Sequence, residues 1–312
     1  MASRYVAVGM ILSQTVVGVL GSFSVLLHYL SFYCTGCRLR STDLIVKHLI
    51  VANFLALRCK GVPQTMAAFG VRYFLNALGC KLVFYLHRVG RGVSIGTTCL
   101  LSVFQVITVS SRKSRWAKLK EKAPKHVGFS VLLCWIVCML VNIIFPMYVT
   151  GKWNYTNITV NEDLGYCSGG GNNKIAQTLR AMLLSFPDVL CLGLMLWVSS
   201  SMVCILHRHK QRVQHIDRSD LSPRASPENR ATQSILILVS TFVSSYTLSC
   251  LFQVCMALLD NPNSLLVNTS ALMSVCFPTL SPFVLMSCDP KMVTLIKNET
   301  KKYIYAKIKN IM

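Results

Sequence analysis

Long apolar stretches alternate with short polar segments along the whole chain. About 20 predominantly apolar residues are enough for an α-helix to cross a hydrocarbon core of about 30 Å. Seven stretches reach that length, at residues 6–33, 44–69, 82–109, 127–149, 176–205, 231–259 and 265–287. The pattern therefore predicts an all-α membrane protein built as a seven-transmembrane helix bundle.

The composition agrees with a membrane protein. Of the 312 residues, 53% are hydrophobic and only 14% are charged, whereas about 25% of the residues are charged in a typical soluble domain. The formal net charge of +21 raises nucleic acid as a partner, but that partner requires basic residues gathered on one water-exposed face. Here the basic residues lie between apolar stretches, so we expect the lipid bilayer as a partner and we expect no nucleic acid.

The basic residues also predict the orientation of the chain. If the first end lies outside, the inner segments hold 21 Lys and Arg and the outer segments hold five. Because cytoplasmic loops are enriched in Lys and Arg, we expect an extracellular N-terminus and a cytosolic C-terminus. The outer loop at residues 150–174 carries glycosylation sequons at Asn154 and Asn157, and glycans are added on that side of the membrane.

Most of the fourteen cysteines lie in apolar stretches, where a free thiol behaves as a small apolar group. Only Cys80 and Cys167 fall where an oxidised bridge is expected. Cys34-x-x-Cys37 has no matching second pair, so we expect no zinc site, and we expect no other metal or cofactor.

Little in the chain supports an enzyme. Gly90-x-Gly92-x-x-x-Gly96 lies inside an apolar stretch and lacks the preceding strand that a phosphate-binding loop requires. Close approach of a second helix explains Gly92-x-x-x-Gly96 better. We therefore expect no catalytic residues and no enzymatic activity.

The third apolar stretch carries two cations, Arg88 and Arg91, which are costly at membrane depth without a partner or a wet cavity. At helical rise they lie roughly 12 and 16 Å from Cys80, in the outer half of the membrane, and they share one helix face. Asp188 is the one acidic residue deep in any stretch and is the expected partner of one arginine. We hypothesise that the other meets an acceptor oxygen of a ligand or water; a purely structural network of carbonyls and hydroxyls remains open.

Further side chains are candidates for lining the same cavity with apolar and hydrogen-bonding surface. Aromatic residues at helical spacing also pack helices together, and that alternative remains open. With the two arginines and Asp188, the candidate ligand-binding residues are Phe84, Tyr85, His87, Phe186, Phe252 and Gln253.

Local motifs narrow the class of protein further. Seven stretches, two outer cysteines and an external N-terminus resemble G-protein-coupled receptors. Between residues 5 and 290 the sequence resembles the vomeronasal type-1 receptors. The motifs that carry the resemblance are HLIVAN at 48–53, KGVPQTMAAFG at 60–70, HRVGRGVSIGTTCLLSVFQ at 87–105, SFPDVLCLGLMLW at 185–197, HRHKQRVQH at 207–215 and SPRASP at 222–227.

The resemblance implies a plasma-membrane chemosensory receptor for small volatile or lipophilic pheromone-like molecules, signalling through an inhibitory-class G protein. Residues 1–290 then form the receptor domain, and residues 291–312 form a basic amphipathic cytosolic tail on the inner leaflet. The basic first part of the third inner loop, residues 207–230, either continues the fifth helix as a surface for a partner or is a solvated run of charges. Both interpretations remain open. The residues expected to contact the G protein are Gln105, Arg112, Arg115, Arg208, Lys210 and Arg212.

Two departures from the wider rhodopsin-like pattern bear on the mechanism. Phe104-Gln105-Val106 stands in place of Asp-Arg-Tyr, and Asn53 stands where an aspartate normally helps to bind sodium. The conformational switch is therefore left open by the sequence. Competing hypotheses are a non-signalling receptor remnant and a membrane transporter; a transporter predicts internal repeats and a continuous polar path, and neither is visible.

Overall fold

Seven helices form a bundle, as the apolar pattern predicts. The structure is a computed structural model, and it describes residues 2–34, 41–71, 74–109, 117–143, 149–150, 160–163, 167–170, 186, 188–205, 207, 227–258 and 264–288. The helices are α1 (Ala2–Cys34), α2 (Ser41–Ala68), α3 (Ala77–Val109), α4 (Ala117–Asn142), α5 (described over Asp188–Ile205), α6 (Pro227–Leu258) and α7 (Ser264–Cys288).

The helix ends do not coincide with the ends of the apolar stretches. Helix α4 begins at Ala117, well before the predicted start at residue 127, because a helix continues through polar residues outside the hydrocarbon core. Helix α6 begins at Pro227, and proline suits a first turn, where its missing N–H has no helical partner. Pro278 and Pro282 lie inside α7, where neighbouring helices make such prolines tolerable.

Burial separates a central helix from peripheral ones. Within the described residues, four helices contain long apolar windows of membrane-spanning length, and α6 and α7 contain shorter ones at Ile237–Phe252 and Leu272–Met286. The window of α3 is 67% buried, but those of α4 and α5 are each 17% buried. Helix α3 therefore runs through the middle of the bundle, while α4 and α5 present most of their side chains to lipid.

Tight side-chain packing joins α2, α3, α6 and α7. Leu49 and Leu101 are fully buried, and the Phe242 and Phe277 rings meet edge to face with their centroids 4.5 Å apart. Lipid tails are as apolar as these side chains, so van der Waals contact rather than the hydrophobic effect favours the association. This cluster holds the four helices in fixed positions relative to one another.

A small sheet and a disulfide cover one end of α3. The strands β1 (Val149–Thr150), β2 (Val160–Asp163) and β3 (Ser168–Gly170) are antiparallel in the order β1-β3-β2. Cys167 precedes β3 and forms a disulfide with Cys80 near the start of α3, with Cα atoms 5.9 Å apart. The strands have two to four residues, too few for an alternating pattern, so the sequence predicted only a loop.

Glycines on α3 allow both neighbouring helices to approach it. A Cβ atom on Gly90 would lie 2.9 Å from the Ala52 carbonyl oxygen of α2. A Cβ atom on Gly92 would lie 3.1 Å from Cys138 Sγ on α4, and one on Gly96 would collide with Cys134 Sγ. The helix-packing interpretation of Gly92-x-x-x-Gly96 is therefore confirmed.

Candidate functional site

A polar cluster links α3, α5 and α6 in the half of the bundle that carries the disulfide. The guanidinium carbon of Arg91 lies 4.7 Å from the centre of the Tyr246 ring, and Arg91 Nη2 lies 4.0 Å from Cys250 Sγ. The Tyr246 hydroxyl donates a 2.5 Å hydrogen bond to Asp188 Oδ2. Tyr246 therefore contacts a cation with its ring and an anion with its hydroxyl.

Sequence reasoning did not select Tyr246. The partner expected for Asp188 was an arginine, and Arg88 and Arg91 do line the same groove as Asp188. The hydrogen bond described at Asp188 Oδ2 comes from a tyrosine. A buried tyrosine usually finds a partner for its hydroxyl, and Tyr246 is only 7% exposed. A tyrosine in the middle of an apolar stretch was the available sign of a buried polar contact. Spacing along the sequence does not show which residue of α5 a residue of α6 contacts.

A small enclosed cavity lies beside this cluster, between α2, α3, α6 and α7. Its volume is about 30 Å³, which is room for one or two water molecules. Its polar lining includes Asn53, His87, Arg91 and Ser249. His87 Nδ1 lies 3.2 Å from the Ala56 carbonyl oxygen, and the buried Ser249 hydroxyl has no hydrogen-bond partner among the described residues.

A hydrogen-bonded junction borders the cavity and ties α2 to α3 and α7. Asn53 Nδ2 donates to Ser281 Oγ at 2.7 Å, and Ser94 Oγ donates to Asn53 Oδ1 at 2.5 Å. All three residues are buried. The residue that replaces the usual aspartate is thus used in a neutral structural contact between three helices.

A second and larger space opens between α3, α4 and α5. This groove has a volume of about 470 Å³ and is mainly apolar. Three charged residues, Arg88, Arg91 and Asp188, line it. Leu133 and Val137 form part of its α4 wall, and each is 47% exposed, so the groove faces the lipid. Arg91 also lines the enclosed cavity and is therefore shared by both spaces.

Comparison with known proteins assigns the chain to a receptor family. The family model described as the vomeronasal organ pheromone receptor family matches residues 6–298. The chain belongs to the vomeronasal type-1 receptor family. Receptors of this family are multi-pass plasma-membrane proteins of the G-protein-coupled class and are not enzymes, so a ligand and a G protein are partners of this receptor chain.

Individual relatives agree with the family assignment. The chain is 89% identical over 295 residues to vomeronasal type-1 receptor 4 of Pongo pygmaeus, covering 95% of this chain and 98% of that one. It is 58% identical over 279 residues to vomeronasal type-1 receptor 2 of Homo sapiens, covering 89% and 71%. A crystal structure of squid rhodopsin matches with a TM-score of 0.70 at 15% identity, covering 95% of this chain and 80% of that one, which shows the shared seven-helix fold.

Two of the predicted ligand-binding residues, Phe84 and Tyr85, make other contacts. Phe84 packs against the disulfide between Cys80 and Cys167. The Tyr85 hydroxyl donates to the Met139 carbonyl oxygen on α4 at 3.1 Å. Neither residue lines the groove or the enclosed cavity.

Phe186 and Phe252 are not gathered with the arginines in the part of the chain described. Phe186 is 61% exposed, Phe252 is half-buried, and neither lines the groove or the enclosed cavity. The Gln253 side chain lies outside the described residues. The geometry therefore brings together His87 with Arg91 around the cavity, and Arg88 and Arg91 with Asp188 around the groove.

At the far end of α3, Gln105 is only 7% exposed. A contact between Gln105 and a G protein therefore requires neighbouring helices to move apart. The tail at residues 291–312 lies outside the described residues, as do the other predicted G-protein contacts and both sequons, namely Arg112, Arg115, Arg208, Lys210, Arg212, Asn154 and Asn157.

Proposed function

We propose that this vomeronasal type-1 receptor binds a small lipophilic or volatile pheromone-like molecule in the outer half of its bundle and activates an inhibitory-class G protein. The contact of Arg91 with the Tyr246 ring, 4.7 Å to its centre, is the observation that carries the proposal. Among the described residues, the Arg91 guanidinium contacts the Tyr246 ring and Cys250 Sγ and forms no direct ion pair with a carboxylate. It is therefore available to an acceptor oxygen, since cation–π contacts are worth only about 0.5–2 kcal/mol.

The same cluster supports a mechanism by population shift. The Tyr246–Asp188 hydrogen bond joins α6 to α5, and Arg91 on α3 holds the other side of the tyrosine. A ligand oxygen that binds Arg91 competes with the ring, and so favours an arrangement in which α6 has moved. A ligand shifts the equilibrium only by its differential affinity for the two arrangements. In the active arrangement the cytosolic helix ends separate, and Gln105 becomes accessible.

The proposed ligand contact is tested by comparing two arginines. Arg91→Gln should lower agonist potency by about 10-fold or more, because a hydrogen bond to a charged group is worth about 1.5–3 kcal/mol. Arg58→Gln is the control: Arg58 is exposed and lies 5.6 Å from the centre of the Phe54 ring. Receptors with verified surface expression are assayed with a promiscuous G protein and a panel of small volatile and lipophilic molecules. Unchanged potency and surface expression in Arg91→Gln would remove the ligand role.

The G-protein class is read in the same cells. An inhibitory-class partner predicts an agonist-dependent fall in cyclic AMP that a toxin specific for inhibitory Gα subunits abolishes. Surface-expressed receptor that lowers cyclic AMP despite the toxin contradicts the proposed class. Receptor that is silent to the whole panel with every G protein would favour the non-signalling alternative.

We also propose an extracellular N-terminus, supported by the uneven distribution of basic residues. Glycosidase treatment should increase the gel mobility of the natural chain, and the variant with both Asn154→Gln and Asn157→Gln should show no shift. Asn298, in a tail sequon, is the internal control, because the cytosolic side receives no glycan. A glycan at Asn298 would show that the chain has the opposite orientation.

A further inference from the structure

We infer that the groove between α3, α4 and α5 binds a single-chain anionic amphiphile, such as a long-chain fatty-acid carboxylate, taken directly from the bilayer. This inference rests on the proposed function, because it names a class of ligand and the side from which that ligand reaches Arg91. The carboxylate lies at the arginines and the chain lies along α4, toward the lipid.

The size and surface of the groove suit such a molecule. Its volume of about 470 Å³ lies within the range of about 300–1,000 Å³ that is common for ligand pockets. The α4 wall is formed by apolar side chains whose outer surfaces face lipid, with exposed fractions of 66% for Phe129, 47% for Leu133 and 47% for Val137. An acyl chain is therefore able to enter sideways without crossing water.

The inner wall of the groove reaches the backbone of α3. Gly92 and Gly96 line it together with Cys134 and Cys138 of α4. Cys134 and Cys138 turn toward these two glycines. Arg88 and Arg91 of α3 line the same groove, so a headgroup beside them meets the central helix instead of remaining at the lipid surface.

The charges at the inner end select an anion. Among the described residues that line the groove, two are cations, Arg88 and Arg91, and one is an anion, Asp188, so this lining carries an excess of positive charge. A cationic lining at membrane depth is stabilised by an anionic partner. A carboxylate neutralises that excess and forms charge-assisted hydrogen bonds with arginine. Because Arg91 also contacts Tyr246, a carboxylate there perturbs the proposed switch.

Photolabelling tests the groove directly. The full-length receptor is placed in nanodiscs of phosphatidylcholine, irradiated with palmitic acid bearing a diazirine in its chain, and digested for mass spectrometry. We expect saturable labelling of the α4 wall at Phe129, Leu133 or Val137, with excess palmitate reducing it at least 5-fold. Equal labelling of all lipid-facing helices, without competition, would overturn the inference.

Two neighbouring leucines provide matched variants. Leu133 lines the groove and Leu132 does not, although both are exposed on α4, at 47% and 57%. Leu133→Trp should fill the groove and reduce the saturable labelling at least 5-fold, while Leu132→Trp should leave it unchanged. The same loss, or the same retention, in both variants would show that the label is not in the groove.

The headgroup is tested by changing the probe rather than the protein. The methyl ester of the same diazirine-bearing palmitic acid should label the groove at least 5-fold less than the acid. Equal labelling by ester and acid would overturn the selection of an anion. If the receptor signals but its groove is not labelled, this inference is wrong and the proposed function stands. If the groove is labelled but the receptor activates no G protein, the groove binds the amphiphile and the proposed function is wrong.

Discussion

Replacing Gly90 by alanine is the sharpest test of the α2–α3 packing. The added Cβ would lie 2.9 Å from the Ala52 carbonyl oxygen, 3.0 Å from the Ala56 nitrogen and 3.4 Å from Ala56 Cα. All three atoms belong to the backbone of a helix, so no side-chain rotation relieves the contact. The two helices must separate by several tenths of an ångström, and overpacking of this kind costs about 1–3 kcal/mol.

The corresponding fall in the apparent Tm is about 2–12 °C, at about 2–4 °C per kcal/mol for a chain of this order of size. Thermal unfolding of the purified receptor in detergent, at one fixed scan rate, measures the change. Gly193→Ala on α5 is the control, because its Cβ would meet nothing within 4 Å and alanine stabilises a helix relative to glycine by about 0.8–1 kcal/mol. If both variants unfold at or above the temperature of the natural chain, the close approach of α2 and α3 is refuted.

Three further changes test the polar contacts and the disulfide through the same unfolding measurement. Tyr246→Phe removes the hydrogen bond to Asp188 and should cost about 1.5–3 kcal/mol; an unchanged Tm would mean that this hydrogen bond does not stabilise the fold. Asn53→Leu strips two hydrogen bonds from a buried junction and should cost about 1–3 kcal/mol, and a gain in Tm would contradict this. Cys80→Ser should cost about 2–5 kcal/mol, and adding Cys167→Ser should lower the Tm no further; an additive loss would show that the two thiols act separately.

The seven helices were predictable because a bilayer imposes one simple rule. Backbone polar groups in the hydrocarbon core must be satisfied within the segment, so a long apolar stretch becomes a helix whatever its neighbours are. The extra length of α4, which begins at Ala117, was not predictable from hydropathy, since the rule ends where water begins. The helical spacing of Gly92 and Gly96 also predicted close packing correctly.

The candidate site was only partly predictable. The placement of Arg88, Arg91 and Asp188 on one groove follows the expectation that charges within membrane spans collect together. Tyr246 was missed, because its importance depends on the rotation of α6 relative to α5. Phe186 is 61% exposed and lines neither of the two described spaces, and its role as a ligand contact stays a prediction.

The sequence alone determined the number of helices, the membrane setting and the family, because these depend on local hydropathy and on the order of motifs along the chain. Only the tertiary structure decided which polar groups meet: Tyr246 with Asp188, and Asn53 with Ser94 and Ser281. These pairs lie on different helices, and their contact depends on how the helices rotate and cross. Side-chain packing sets those angles, and spacing along a single helix carries no information about them.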